Sequence, residues 1–161
     1  MPGVGKSTVG VLLAKRMGLA FLDTDILIQT GEKKSLQQLI AAGGMEAFCD
    51  LEAGYMATLD CGGTVIATGG SVVYREAAMA HLGRLGTIVY LRIDLAALDQ
   101  RLSDIDARGV VYAPGQDLFG LFKERVPLYR RYARVTVDCS GLTPDQVVGK
   151  IVSVHRSSRK A

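Results

Sequence analysis

The chain has 161 residues, 48% of them hydrophobic, 22% charged and 6% aromatic, with a formal net charge of +3. That length suits one domain with its own core and is short for two, and the composition excludes a disordered chain, a fibrous repeat and a strongly basic nucleic-acid binder. No apolar run reaches the roughly 18 residues a membrane span needs, no signal-peptide pattern opens the chain, and Cys49, Cys61 and Cys139 have neither the number nor the spacing of a disulfide framework or a zinc site.

Residues 6–17 place Val9, Leu12, Leu13 and Arg16 at helical spacing and stop at Gly18, which predicts a helix with a glycine C-terminus. A short strand follows at 19–23. Residues 35–42 and 44–59 read as two helices, the second with Phe48, Leu51, Tyr55 and Leu59 on one side, and both are expected to lie over the substrate. Residues 64–67 form a buried strand that runs into Thr68-Gly69-Gly70-Ser71, followed by a helix at about 75–85, a strand at 87–91 and a helix at 95–102. The segment 103–115 has no apolar period and contains Gly109, Pro114 and Gly115, so a mobile loop is expected there. Helix returns at 116–132, strand at 135–137 and helix at 144–154, before a basic tail at 155–161 carrying Arg156, Arg159 and Lys160. Strands alternating with helices across short linkers predict an α/β fold, a parallel sheet covered on both faces, in one domain at 1–154. The expectation is a cytoplasmic monomer with no membrane or nucleic-acid partner.

Gly3-Val4-Gly5-Lys6-Ser7-Thr8 is the latter part of the phosphate-loop pattern G-x-x-x-x-G-K-[ST]. Glycines let the backbone curl until several N–H groups point at phosphate oxygens, and the following helix adds its positive end. Lys6 would reach the β- and γ-phosphates and the Ser7 hydroxyl would ligate Mg²⁺, so ATP with Mg²⁺ is the expected cofactor pair. The pattern's first glycine and the strand that feeds it would both precede Met1. Such a strand lies inside the sheet of P-loop folds, and its loss would leave two neighbours unpaired around an open core. The expectation is therefore that Met1 is an internal methionine of a natural protein starting roughly ten residues earlier, judged by strand lengths.

Further signals follow at characteristic spacings: Phe21-Leu22-Asp23-Thr24-Asp25, Thr68-Gly69-Gly70-Ser71, Arg101, Arg108, Arg125-x-Pro127-Leu128-Tyr129, and Val137-Asp138 with Pro144. Together with the phosphate loop they resemble the shikimate kinase family, of nucleoside-monophosphate-kinase-like P-loop fold, over nearly the whole chain. The resemblance implies a three-layer α/β/α architecture and a role for each position. Asp23 would help hold Mg²⁺ through water, and Asp25 would hydrogen-bond the substrate hydroxyl and assist its deprotonation. Two carboxylates one residue apart on an extended end can flank a metal and a hydroxyl, as phosphoryl transfer requires. Gly69 and Gly70 would bring backbone close to the substrate, and Arg125 would hold its carboxylate. Arg108, in a lid at about 103–115, would neutralise charge on the transferring group. Arg101 would lie on the nucleotide side, and Pro144 in the loop that packs on adenine.

Three departures from the family pattern stand out. Ser71 replaces the third glycine of the turn, and Gly109-Val110-Val111 replaces the lid's proline and leucines. On the substrate helix the family has G-E-x-x-F-R-x-x-E, whereas here Phe48 and Glu52 align and the arginine is Cys49. That arginine forms half of a two-arginine clamp on the shikimate carboxylate. A charge-assisted hydrogen bond contributes roughly 1.5–3 kcal/mol, so Arg125 alone would bind on the order of 10- to 100-fold more weakly. The expected activity is phosphorylation of a shikimate hydroxyl by ATP. Two alternatives stay open: a kinase for another small hydroxylated acid such as homoserine or gluconate, and a non-catalytic domain that senses a metabolite or nucleotide. His81 and His155 read as surface residues.

Overall fold

The structure, a computed structural model, describes residues 1–104 and 117–158. Helix α1 (Lys6–Met17) begins after Gly5, whose φ of 94° is left-handed, and ends at Gly18, φ 67°, whose N–H bonds the Ala14 carbonyl. Strand β1 (Ala20–Asp23) passes directly into α2 (Thr24–Glu32), because the Asp23 carboxylate accepts from the N–H groups of Asp25 and Ile26 and so caps the new helix. Helix α3 (Leu36–Ala57) opens on a reciprocal cap between Ser35 and Gln38 and breaks at Gly44, φ 79° and ψ 174°. Strand β2 (Thr64–Ala67) leads through a 3₁₀ turn at Val72–Tyr74 to α4 (Glu76–Leu85). Then come β3 (Val89–Arg92), α5 (Leu95–Asp104), α6 (Leu118–Tyr132), β4 (Val135–Asp138) and α7 (Pro144–Ser158).

All pairing among the described strands is parallel. β1 lies beside β2 with Ala20 opposite Thr64 and Asp23 opposite Ala67, and β3 lies beside β4 with Val89 opposite Val135. Alternation along the strands separates two apolar clusters. Val65, Val89, Leu91 and Val137 face a core built with Val9 and Leu13 of α1, Leu98 of α5 and Val148 of α7. Leu22, Ile66 and Ile88 face the other cluster, with Met56 of α3, Val72 and Val73, and Met79 and Leu82 of α4. Helices thus cover both faces, giving three layers. Among the described residues the strands make two separate pairs, and a cavity of about 670 Å³, lined by Val65, Ile66, Ala67, Ile88, Val89 and Leu91 among others, lies between β2 and β3. No strand lies between β2 and β3 among the described residues.

Several boundaries differ from the sequence reading. The strand expected at 87–91 runs Val89–Arg92, and residues 103 and 104, read as loop, complete α5. Helix α7 continues through Ser158, so 155–158 are helical rather than a tail. Helix α2 was not anticipated, and it puts Asp25 in a first helical turn instead of on an extended end. The rest of the expected lid, 105–115, and Arg159 and Lys160 fall outside the described residues.

Candidate active site

The loop before α1 depends on two left-handed glycines, Gly3 (φ 72°) and Gly5 (φ 94°). A Cβ on Gly3 would also stand 2.6 Å from the Leu102 side chain. Val4 between them is buried and offers the site only its backbone. Its carbonyl accepts from Arg101 Nη1 at 3.2 Å, and Arg101 Nη2 reaches the Cys139 carbonyl at 3.4 Å, so Arg101 braces the loop from behind.

Lys6 is half-buried and donates from Nζ to the Met1 carbonyl at 3.0 Å. Burial lowers its pKa, and the neighbouring Asp25 carboxylate opposes that shift. The Ser7 hydroxyl donates to Asp23 Oδ2 at 2.6 Å, while Asp23 Oδ1 caps α2. The cap orients Asp25, whose carboxyl burial pushes upward with a smaller contribution from Asp23, against the pull of Lys6.

A cavity of about 330 Å³ brings Lys6, Ser7 and Asp25 together, with Asp23 behind its wall. Its wall includes Lys6, Ser7, Asp25, Phe48, Gly70 and Arg125; Gly3, Gly5, Thr8, Gly69 and Ser71 also border it. The glycine turn is held tightly. The Gly69 N–H donates to the buried Thr24 hydroxyl at 3.1 Å, and a Cβ on Gly69 would collide with the Glu52 carboxylate and stand 2.9 Å from Asp25 Oδ1. A Cβ on Gly70 would stand 3.0 Å from Arg125 Nη1. Arg125 itself is buried, donates from Nε to the Tyr74 hydroxyl at 2.9 Å and lies 5.1 Å over the Tyr74 ring. Tyr129, pushed up to about 12 by burial, remains a neutral donor to the Gly70 carbonyl at 2.8 Å and stacks on Tyr90.

Phosphate loop, Asp25, the glycine turn and Arg125 therefore meet in one pocket. Cys49 is not in the wall; Met45 and Phe48 of the same helix are, and the thiol is buried behind them. Pro144 opens α7 inside a reciprocal cap between Thr143 and Gln146, away from this cavity. Arg108 lies outside the described residues. Sequence reasoning gave no role to Thr24, Ser71, Tyr74 or Glu52. Glu52 is fully buried, accepts from the Ser71 hydroxyl at 2.7 Å, and is pushed by burial to a pKa of about 7. A glutamate one helical turn from the buried Phe48 was the available signal.

Ser7 Oγ and Asp23 Oδ2 are hard oxygen donors 2.6 Å apart at the mouth of the phosphate loop, a donor set that fits Mg²⁺ with water completing its shell. The left-handed glycines and the N-terminus of α1 together form a cradle for phosphate oxygens.

The description "Shikimate kinase" belongs to the family profile that matches residues 2–156. The shikimate kinase of Trichormus variabilis is 36% identical over 165 residues, spanning 99% of this chain and 90% of that protein. Shikimate kinase 2 of an Enterobacter species is 34% identical, spanning 96% and 91%. Among solved structures, the Acinetobacter baumannii shikimate kinase in complex with shikimate superposes with a TM-score of 0.87 at 30% identity, over 97% of this chain and 89% of that one. The Aquifex aeolicus enzyme gives 0.84 at 29% identity, over 99% and 94%. A match along the whole chain, on a fold that brings the phosphate loop and the substrate-side arginine to one cavity, makes this chain a member of the shikimate kinase family.

Proposed function

We propose that the chain transfers the γ-phosphoryl group of ATP to a hydroxyl of shikimate, yielding shikimate 3-phosphate and ADP. The observation that carries this reading is a single cavity walled by Lys6 and Ser7 at one end and by Asp25 and Arg125 at the other. The glycine loop and the start of α1 bind the phosphates, and Lys6 moves from the Met1 carbonyl to the β- and γ-oxygens. Ser7 and Asp23 would hold Mg²⁺, which when bound would supply charge neutralisation for the phosphates. Arg125 takes the substrate carboxylate, which turns a ring hydroxyl toward Asp25. As that oxygen bonds to the γ-phosphorus and the bond to the bridging oxygen of ADP breaks, Asp25 receives the hydroxyl proton.

One observation favours a second reading. With Cys49 on the substrate helix, Arg125 is, among the described residues, the one arginine in the cavity wall, an arrangement that would serve another small hydroxylated acid. Coupled ADP release with Mg²⁺, ATP and a panel of shikimate, homoserine and gluconate separates the two. Turnover with shikimate at the highest kcat/KM supports the first reading. Turnover confined to another acid, or ATP binding with no turnover, overturns it.

A further inference from the structure

Residues three apart on a helix share a face, so the side chains of Cys49 and Glu52 are neighbours on α3. Both are buried, at 3% and 0% exposure. Glu52 Oε2 accepts from Ser71, whereas Oε1 has no hydrogen-bond partner. An arginine at 49 would supply that oxygen with a donor and hold the carboxylate ionised; a thiol is a weak donor and carries no charge. A buried carboxylate oxygen with no donor is costly, and a bound proton removes the cost.

The groups that act on Glu52 come from each element packed around it: Lys6 of α1, Asp25 of α2 and Arg125 of α6, with Ser71 on the glycine turn. Cys49 shares its helix, and Arg75, held by Glu46 and Asp50, acts on Cys49. Arg125 is thus a cation in the substrate cavity with Glu52 within electrostatic reach. Neutral Glu52 leaves the guanidinium's charge for a ligand. Ionised Glu52 cancels part of it through a low-dielectric wall.

We propose that Glu52 is a positioning residue whose charge state sets how strongly Arg125 holds an anionic substrate, a role opened by the replacement of arginine with Cys49. The inference rests on the shikimate reading for its substrate. Its sign follows from the chemistry: the protonated form binds an anion more tightly, so affinity falls as pH rises through the ionisation of Glu52. Burial places that ionisation at about 7.

The test measures KM and kcat for shikimate from pH 6 to 8 with the wild-type chain, Glu52→Gln and Cys49→Arg, alongside difference infrared spectra of wild type against Glu52→Gln. Wild-type KM is expected to rise on the order of tenfold over that range. In Glu52→Gln it stays near the low-pH value, and in Cys49→Arg it is low and flat because the new guanidinium keeps Glu52 ionised and itself contacts the anion. The protonated-carboxyl band should be present at pH 6, fade by pH 8 and be missing in Glu52→Gln. A pH dependence of KM shared by wild type and Glu52→Gln overturns the proposal while leaving the kinase reading intact, as does the absence of that band at pH 6. A titrating band with no shikimate turnover overturns the shikimate reading and supports the assigned charge state. Should Glu52→Gln fail to fold, the wild-type band and the flattened profile of Cys49→Arg still decide the matter.

Discussion

Asp23 performs two tasks with its two oxygens: Oδ1 caps α2 and Oδ2 accepts from Ser7. Asp23→Ala should therefore lower stability by about 1 kcal/mol, the usual worth of an N-cap, and also raise the Mg²⁺ concentration needed for half-maximal rate. Chemical denaturation and a Mg²⁺ titration read the two effects separately. Asn retains a capping oxygen but no charge, so Asp23→Asn should keep most of the stability while still raising the Mg²⁺ concentration needed for half-maximal rate. Glu52 makes a further prediction about stability. Its carboxyl is raised from 4.5 to about 7 in the folded state, so the native chain holds more protons than the unfolded chain between those values. Stability contributed by the protonated group is complete below the unfolded pKa and is lost as pH rises through the folded one. At roughly 1.4 kcal/mol per pKa unit the loss from pH 4 to 8 reaches up to about 3 kcal/mol, and Glu52→Gln should abolish this component in urea unfolding curves. Lys6, Ser7, Asp25 and Arg125, which line one cavity, were each legible as candidates, because each sits in a short sequence pattern. Glu52 aligned with the family's helix motif but carried no assigned role, and Tyr74 carried no signal, since burial of a helix glutamate or of a tyrosine after a turn depends on distant neighbours.

Among the elements, α3 best shows what local chemistry decides. The sequence predicts helices at 35–42 and 44–59; the structure joins them as α3, adds the Ser35–Gln38 cap and puts the break at Gly44 with positive φ. Ser35→Ala should cost about 1 kcal/mol, and Gly44→Ala a comparable 1–2 kcal/mol from placing a Cβ at positive φ, each measured by thermal or urea unfolding. Neither should alter kcat by more than a small factor if the pocket wall at Met45 and Phe48 keeps its place. Helix α2 escaped the sequence reading for a physical reason. Its residues Thr24-Asp25-Ile26-Leu27-Ile28 are β-branched and apolar without a clear 3.6 period, a pattern that fits a strand as well as a helix. The Asp23 cap and the packing of Ile28 in the interior decide for helix. At the end of α5, residues 103 and 104 extend the helix past the last apolar position, where periodicity stops giving information.

For the whole molecule the main feature is the division of the strands into two parallel pairs with a cavity between β2 and β3. Among the described residues no strand pairs with the cavity-facing edges of β2 and β3, so amides on those edges should exchange with solvent orders of magnitude faster than those in the β1–β2 and β3–β4 ladders. Residue-resolved hydrogen exchange checks this, and equal protection on both sides of β2 would contradict it. Because the phosphate loop joins α1 to the core through Val4, Arg101 and Cys139, nucleotide binding should stabilise the folded chain as a unit. MgATP at about 100 times its dissociation constant should add about 2.7 kcal/mol and raise Tm by about 5–10 °C. By itself the sequence determined the α/β class and the phosphate loop with its glycines, lysine and serine, because these follow from backbone conformation and side-chain chemistry within a few residues; the missing cation at Cys49 was legible only through the resemblance to the family pattern. Only the tertiary structure decided that Ser71 and Glu52 stand behind Gly69, that Tyr74 holds Arg125, and that one oxygen of Glu52 has no donor. Those facts depend on which distant segments pack together, and packing alone determines where water, and with it charge, is excluded.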